Sequence, residues 1–576
     1  VRFSLRPPKL MNLNTYNNLL ELFSFQLNQQ NPKNIFLKSL KCDENSFTWQ
    51  QTSDCIHKLS DQLDTILKEN DRCLLISENR PEWLISDLAI MLSKGITVPA
   101  YSTYTERDYE YLINDSKPSV IIVSDQSQYN KINLILEKSN FIKLVITFDE
   151  VKSNFQNIIN IKKIFKKENY TKKNLNNLKS KRTDIACIIY TSGTQGNPKG
   201  VMLSHGGILN NCEGSYNLLK EIVSSKPKFL TWLPLSHSYE HTVQFVQIAV
   251  GAKVFYAEGI DKLIKNMGEC SPNIMTAVPR FYQNLYQKIN ANFNKAKGIK
   301  RYLINKTLEL GKKRLLKKKN SFPDNIIQKI CDQTVRKKIK EQFGGSLKAF
   351  ISGGGALDQE VGQFLNAIGL PTLQGYGLTE TSPVVSCNPI IDIRIETVGP
   401  PFSGNKVKIA DDGEILVKGE NVMLGYWNNQ KETNKVLKDG WLYTGDIGHF
   451  EKGYLKITDR KKDIIITPGG DNISPVKIEN DLTKVNFIEQ ALVYGDNKPY
   501  LVALIVLTKD KYDLKNQIIF NEIEKINKNL SKIEKIKKFF VIKEQFTIEN
   551  RLMTPTLKLK RYKIIQKYKN EFEKLY

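Results

Sequence analysis

An α/β architecture is predicted by two textures along the chain. Between residues 73 and 125 apolar runs alternate with helical patterns, and between 397 and 454 short β runs alternate with turn signals. Strand–helix–strand alternation implies a largely parallel sheet covered by helices, whereas the second texture implies a smaller antiparallel unit. At 576 residues the chain exceeds a single core, so more than one domain is expected. The expected fold is a large N-terminal domain of layered α/β sheets with a β subdomain, over 1–459, followed by a small C-terminal α+β domain over 460–576.

In chain order, residues 73–77 read as a strand, and 81–93 read as a helix with Pro81 in its first turn. Residues 96–100 and 120–124 read as further strands. Residues 151–180, rich in Lys and Asn, are expected to be a surface excursion. The strand pattern resumes at Ile185 and ends at Tyr190, and 191–200 is expected to be a loop. Strands at 228–232 and 253–256 follow, then a basic helical insertion over about 285–342. Gly344, Gly345 and the run Gly353, Gly354, Gly355 mark the return of the α/β rhythm. The C-terminal part carries apolar runs at 490–495 and 501–506.

Composition narrows the function classes. Hydrophobic residues make up 40%, as in a globular chain. The apolar runs fall short of the ~18–20 residues that span a bilayer, and the first ten residues lack the apolar core of a signal peptide. Eight scattered cysteines with no C-x-x-C pair argue for a reducing, cytoplasmic setting rather than a disulfide framework. The five histidines show no metal-ligand spacing. Of the net charge of +25, more than half is local: residues 288–340 hold 17 Lys/Arg against 3 acidic residues. Two readings of that segment stay open, a solvated basic helical surface and a face that docks on anionic lipid headgroups at the inner side of a membrane. Nucleic acid is not expected as a partner, because aromatic residues for base stacking and a recognition motif are both lacking.

The chemistry-bearing motifs begin at 188–205, Ile-Ile-Tyr-Thr-Ser-Gly-Thr-Gln-Gly-Asn-Pro-Lys-Gly-Val-Met-Leu-Ser-His. A strand leads into a loop of hydroxyls, glycines and Lys199, which together present backbone N–H groups and an ammonium to an oligophosphate. It is not a P-loop, which needs Gly-Lys followed by Ser or Thr. The second block joins Gly353, Gly354 and Gly355 to 373–382, Leu-Gln-Gly-Tyr-Gly-Leu-Thr-Glu-Thr-Ser. Glycines admit a flat ring close to the backbone, Tyr376 can stack on such a ring, and Glu380 offers the oxygen donor that Mg²⁺ prefers. The third block holds Asp446, a carboxylate suited to a pair of sugar hydroxyls, and then Asp459-Arg-Lys-Lys-Asp-Ile-Ile. Leu233-Pro-Leu-Ser-His-Ser-Tyr-Glu, Pro468-Gly-Gly-Asp-Asn and Leu552-Met-Thr-Pro-Thr-Leu-Lys-Leu-Lys-Arg complete the set.

Taken in order, these blocks resemble the adenylate-forming, AMP-binding superfamily of acyl-CoA synthetases, and within it the bacterial long-chain fatty acid–CoA ligases. The resemblance covers nearly the whole chain from about residue 48 to 561. It implies that Thr191, Ser192, Gly193, Thr194, Gln195, Gly196 and Lys199 cradle the phosphates of ATP. Gly353, Gly354, Gly355, Gln374, Gly375, Tyr376, Gly377 and Thr379 would surround the nucleotide, with Asp446 and Arg460 on the ribose. Thr191 and Glu380 would share Mg²⁺. His237 would line the carboxylate pocket, Lys462 would be the hinge of a mobile C-terminal domain, and Gly469 and Gly470 would line a tunnel for coenzyme A. Lys558 would be the catalytic lysine, with Lys560 as runner-up, because many family members have Gly where this chain has Leu557. The implied activity joins a long-chain fatty acid to coenzyme A through an acyl-adenylate, releasing AMP and pyrophosphate. Transfer to acyl carrier protein is the alternative. A non-catalytic lipid-surface or nucleotide-binding protein on the same fold is the alternative of another class.

Overall fold

The computed structural model describes residues 12–42, 44–176, 178–191, 198–220, 222–223, 226–469, 471–554 and 557–576. Among these, two eight-stranded sheets form the body of the molecule. One runs in the order Gly425–Tyr426, Lys199–Ser204, Ile185–Thr191, Ile96–Ala100, Arg72–Ile76, Val120–Val123, Leu144–Thr147 and Ile158–Asn160. Its pairings are parallel from Ile185–Thr191 to the Ile158–Asn160 edge and antiparallel on the other side. Val120–Val123 and Leu144–Thr147 are buried at every residue, which is why they read as unbroken apolar runs rather than as alternations.

The second sheet runs Val384–Cys387, Thr372–Gly377, Ala349–Ser352, Ile274–Ala277, Lys228–Thr231, Lys253–Tyr256, Ile35–Ser39 and Ser46–Thr48. Helix Pro81–Leu92, which follows a strand of the first sheet, is buried along its whole length, as expected of a helix enclosed on all sides. Its Asp87 meets Nε2 of His241, on the helix Ser238–Ala249, at 2.7 Å, and both side chains are fully enclosed. Burial pushes His241 down, but Asp87 and Cys187 beside it outweigh that and raise the imidazole to about 10. A charged pair so placed ties the two helices together, and removing one partner would leave a buried charge uncompensated.

The β texture after residue 397 forms a separate sheet, Lys406–Ile409, Glu414–Lys418, Trp441–Glu451 and Leu437–Lys438, with Tyr454–Arg460 paired to Trp441–Glu451. The C-terminal residues build their own three-stranded sheet, Ile488–Tyr494, Leu501–Leu507 and Ile536–Ile542. Leu501–Leu507 is buried throughout because one face feeds a cluster with Ile478 and Ile519 and the other a cluster with Ile564 and Phe572. A large mixed α/β part followed by a smaller C-terminal part is the expected fold class.

Three local expectations change. Thr191 closes a strand and Lys199 and Gly200 open the next, paired across from Thr191 and Tyr190, so both ends of the expected 191–200 loop belong to strands. Ladder hydrogen bonds extend the two strands into residues whose composition suggested a turn. The excursion at 151–180 returns an edge strand, Ile158–Asn160, and its Ile161 and Ile164 are buried. Strand Tyr454–Arg460 includes Arg460, whose partner across the ladder is Asp446; the chain leaves this sheet at 461 rather than at 460.

The basic segment is helical, as Pro279–Asn294, Gly298–Leu315, Phe322–Cys331 and Lys337–Gln342. It is anchored rather than loose. Ile304, Thr307, Leu310 and Gly311 turn inward, and the buried Arg336 donates to the carbonyls of Ala367 (2.9 Å) and Thr307 (2.8 Å).

Candidate active site

The ends of both large sheets, the β subdomain and the C-terminal residues open onto one cavity of about 1610 Å³. Thr191, Lys199, His237, Gly353, Gly354, Gly355, Gln374, Gly375, Tyr376, Gly377, Thr379, Glu380, Asp446, Arg460, Lys462 and Lys558 all line it. Ser192, Gly193, Thr194, Gln195, Gly196 and Gly470 lie outside the described residues. Gly469 is exposed at the turn of a two-stranded hairpin, Ile465–Ile466 with Asn472–Ile473, and does not reach the cavity.

Each polar group is held by a local cause. The strand pair that carries Thr191 and Lys199 is braced by Tyr111, whose hydroxyl donates to the Pro198 carbonyl at 3.0 Å. Lys199 pairs with Glu432 and lies 5.0 Å from the centre of the Tyr426 ring. Hydrogen bonds from Lys199 and then Lys435 hold the Glu432 carboxyl down at about 2. Tyr426 in turn donates to Glu380 at 2.9 Å. Thr379 and Glu380 sit on a single turn of helix, and the Thr379 hydroxyl lies 3.1 Å from Ser238.

The glycines match close approaches. A Cβ at Gly353 would stand 2.9 Å from the Tyr239 ring, and one at Gly377 only 2.0 Å from the Pro383 carbonyl oxygen, distances at which side chains are not tolerated. The Gln374 amide is occupied by the fold itself: it accepts from the Leu357 N–H at 2.8 Å and donates to the Thr397 carbonyl at 3.1 Å. Tyr376 donates its hydroxyl to Asp446 at 2.7 Å, and Arg460 approaches the other carboxylate oxygen at 3.5 Å. Burial raises Asp446 above the usual carboxylate range, against the opposing pull of Arg460.

His237 caps the helix Ser238–Ala249, and its Nδ1 accepts from the Tyr239 N–H at 3.2 Å. That bond leaves the ring proton on Nε2. Burial, and then the charge of Lys558, push the imidazole down to about 3, so it is neutral throughout the physiological range.

Lys558 is tied to Thr554 by two hydrogen bonds. The Lys558 N–H donates to the Thr554 hydroxyl at 3.0 Å, and the Thr554 N–H to the Lys558 carbonyl at 2.8 Å. Enclosure by the cleft walls, and next the charge of Arg460, lower its ammonium to about 8, with Asp446, Asp463 and Glu380 opposing; the side chain keeps solvent access along the cleft. Lys560 has different neighbours. After burial, the charges acting on it are those of Lys563, Asp108 and Arg551. Both lysines line the cavity, Lys558 within the influence of Arg460, Asp446 and Glu380 and Lys560 within that of Asp108 and Arg551.

Leu557 explains itself as well. It adopts φ +62, the left-handed region that favours glycine and costs a leucine roughly 1–2 kcal/mol. In return its side chain packs against the small cluster of Leu233, Tyr239 and Val278 in the N-terminal part. That contact belongs to this arrangement of the two parts, whereas the strain belongs to the turn. Leu557→Gly is therefore expected to slow the step that needs Lys558 in place about five-fold, by losing roughly 1 kcal/mol of contact, and to leave the later acyl transfer unchanged. Equal loss in both steps, measured separately, would contradict this.

Further links across the same seam are Arg280 to Glu489 (2.9 Å), Lys484 to Asp358 (3.1 Å) and Arg551 to the Thr105 hydroxyl (2.6 Å). Lys461 is bound to Asp412 (2.6 Å) and Glu414 (2.8 Å), while Lys462 beside it is exposed. The cavity lining also includes a set of clustered apolar side chains, Leu218, Leu219, Phe229, Val246, Ile274 and Phe402. Among the described residues no group of three or more His, Cys, Asp or Glu side chains could enclose a metal. Thr191 and Glu380 both line the cavity, and a hydroxyl with one carboxylate suits Mg²⁺, which keeps waters and is held through one or two carboxylates together with substrate phosphates.

Tyr426 and Glu432 carry no motif that sequence reading singled out. Strand Gly425–Tyr426 pairs with Met202 and Val201, and nothing in residue order announces a pairing across more than two hundred positions.

Comparison with known proteins identifies the family. Residues 25–427 match the AMP-binding enzyme family and 462–576 match the AMP-binding enzyme C-terminal domain. The chain is 29% identical to the long-chain-fatty-acid–CoA ligase FadD15 of Mycobacterium bovis, over 88% of each chain. It is 31% identical to long-chain-fatty-acid–CoA ligase 5 of Rattus norvegicus, over 87% of this chain and 79% of that one. Among solved structures it resembles an anthranilate CoA ligase in complex with anthranoyl-AMP, with a TM-score of 0.78, 20% identity and coverage of 98% and 100%. The ATP-bound MatB of Rhodopseudomonas palustris gives 0.74 at 21% identity, with coverage of 97% and 100%. The match spans both parts of the chain and places it in the AMP-binding enzyme family.

Proposed function

We propose that this protein is a long-chain fatty acid–CoA ligase, acting in the cytoplasm and peripherally at the inner face of a membrane. The observation that carries the reading is the cavity itself: Lys199, Asp446, Lys558 and His237 line it together with apolar side chains such as Leu219, Phe229 and Val246. In the first half-reaction a fatty carboxylate oxygen attacks the α-phosphorus of ATP, and the bond to the β,γ-pyrophosphate breaks. Lys199 and Thr191 take the charge of the departing pyrophosphate. Lys558 offsets charge building on the α-phosphoryl oxygens, a fixed cation that needs no reorganisation in the transition state. Neutral His237 aims its Nε2–H at the carboxylate. Asp446 and Arg460 hold the ribose, and Gly353 to Gly355 with Tyr376 hold the adenine.

Thr191 and Glu380 would hold Mg²⁺, which when bound neutralises phosphate charge. In the second half-reaction the C-terminal domain turns about Lys462, withdrawing Lys558 and bringing in the loop of Gly469 and Gly470. The thiol of coenzyme A attacks the acyl carbonyl carbon, forming the thioester and expelling AMP. Using one cavity for two reactions requires two discrete arrangements of packed domains.

Rates with acids of graded chain length, each offered coenzyme A or acyl carrier protein, test the assignment. The expected result is a maximum at long-chain acids with coenzyme A. A maximum at acetate or an aryl acid overturns the substrate, and a preference for acyl carrier protein overturns the acceptor.

A further inference from the structure

We propose that the turn between the helices Gly298–Leu315 and Phe322–Cys331, together with the outward row of the second helix, is a docking surface that enters the headgroup layer of an anionic lipid bilayer. On Phe322–Cys331 the residues Phe322, Ile326 and Ile330 recur every four positions and so share one face. They are exposed, Phe322 by 79%, while Cys331 on the opposite side is buried. Leu316, 64% exposed, closes the preceding helix, and between it and Phe322 lie Lys317, Lys318 and Lys319. Lys317 pairs with Asp392 at 2.8 Å; Lys318, Lys319 and Lys329 point into solvent.

Exposed leucines occur singly on most surfaces. A largely exposed phenylalanine with Leu316, Ile326 and Ile330 also exposed, on a segment that carries Lys318, Lys319 and Lys329, is a different object, because apolar surface and positive charge share one stretch. Charge complementarity selects the occupant. Anionic headgroups attract the lysines while the apolar row reaches the acyl boundary, which neither a nucleic acid nor an acidic peptide in water would require. No helix is long and apolar enough to cross a membrane among the described residues, so the contact is interfacial. Helix Pro279–Asn294 lines the cavity through Arg280, Gln283, Asn284 and Gln287 and leads directly into the basic helices. Delivery of a bilayer-dissolved acid by that route rests on the proposed substrate; docking itself does not.

Flotation of the full chain with phosphatidylcholine vesicles, with and without phosphatidylglycerol, tests the surface. The wild-type protein is expected to float with the anionic vesicles and to be released by salt. Lys318→Gln with Lys319→Gln should weaken partition about thirty-fold, from roughly 1 kcal/mol per basic residue. Phe322→Ser with Ile326→Ser, which leaves the charge untouched, should weaken it about ten-fold or more. All four residues are exposed and outside the cavity, so pyrophosphate release with detergent-dispersed acid should stay at wild-type level. Failure to float on anionic vesicles overturns the proposal. So does partition that ignores the Phe322 and Ile326 change, which would mark a general polyanion surface, and so does a change of oligomeric state in that variant, which would mark a contact between copies. A protein that floats yet prefers a short acid would sink the proposed substrate and leave the docking surface standing.

Discussion

Replacing Lys558 by alanine is expected to lower pyrophosphate release about 10²–10³-fold while ATP binding stays close to wild type. Lys558 is the cation in the cleft set against Arg460, Asp446 and Glu380, and no second lysine of its own turn shares those neighbours. Acyl transfer from a supplied acyl-adenylate should be little affected, because the proposed domain rotation withdraws the lysine for that step. Lys560→Ala should change neither step by more than a few-fold. A large loss in that variant with none in Lys558→Ala would reassign the role.

The same lysine sets a pH limit. Its ammonium is lowered from 10.5 to about 8, so the active, charged form is complete below that value and is lost as pH rises through it. Pyrophosphate release should therefore fall about ten-fold per unit above pH 8. His237, held near 3, should add no inflection near 6.5. Measuring pyrophosphate rather than thioester isolates this limb, since the acceptor thiol becomes more reactive over the same range. A flat profile from 7 to 10 would contradict the assignment.

Lys462→Pro is expected to preserve pyrophosphate release and to reduce thioester formation about 100-fold. Lys462 lies in the turn that follows the last strand residue of the β subdomain, Arg460, whose carbonyl accepts from both the Asp463 and Ile464 N–H. Proline fixes φ and restricts the residue before it, so it resists the backbone rotation a hinge must absorb. Lys461, clamped to Asp412 and Glu414, holds the fixed side of that turn. Rapid quench of the two half-reactions separately is the measurement. Equal loss in both would point to damage at Arg460 or Lys558 instead, and no loss in either would remove the hinge from this position.

Residue order carried much of this site because the relevant chemistry is local. Glu380 is placed by one turn of helix next to Thr379, and Lys558 by hydrogen bonds to Thr554 four positions earlier, so their motifs survive as short strings. The parallel strands were legible for the same reason: Val120–Val123 is apolar at every position because both faces are covered. What was not legible depends on partners distant in sequence. Glu432 matters because its helix lies against Lys199, and Tyr426 because its strand adds to the Lys199–Ser204 edge. The basic segment showed its charge but not its two faces, since Arg336 looks like any other cation until it is found buried on Ala367 and Thr307. Leu557 looked like a departure from a glycine position, and only its left-handed backbone together with its apolar contacts shows what the leucine does there.

The central claim is that ATP is split at the α-phosphorus. Incubating the protein with ATP and a long-chain fatty acid in the absence of any thiol, then quenching and analysing the bound and free products, tests it most directly. The expected products are acyl-adenylate and pyrophosphate in equal amount, near one per enzyme, with AMP and thioester appearing only when coenzyme A is added. Release of ADP and orthophosphate, or thioester formation with no adenylate accumulating beforehand, would contradict it.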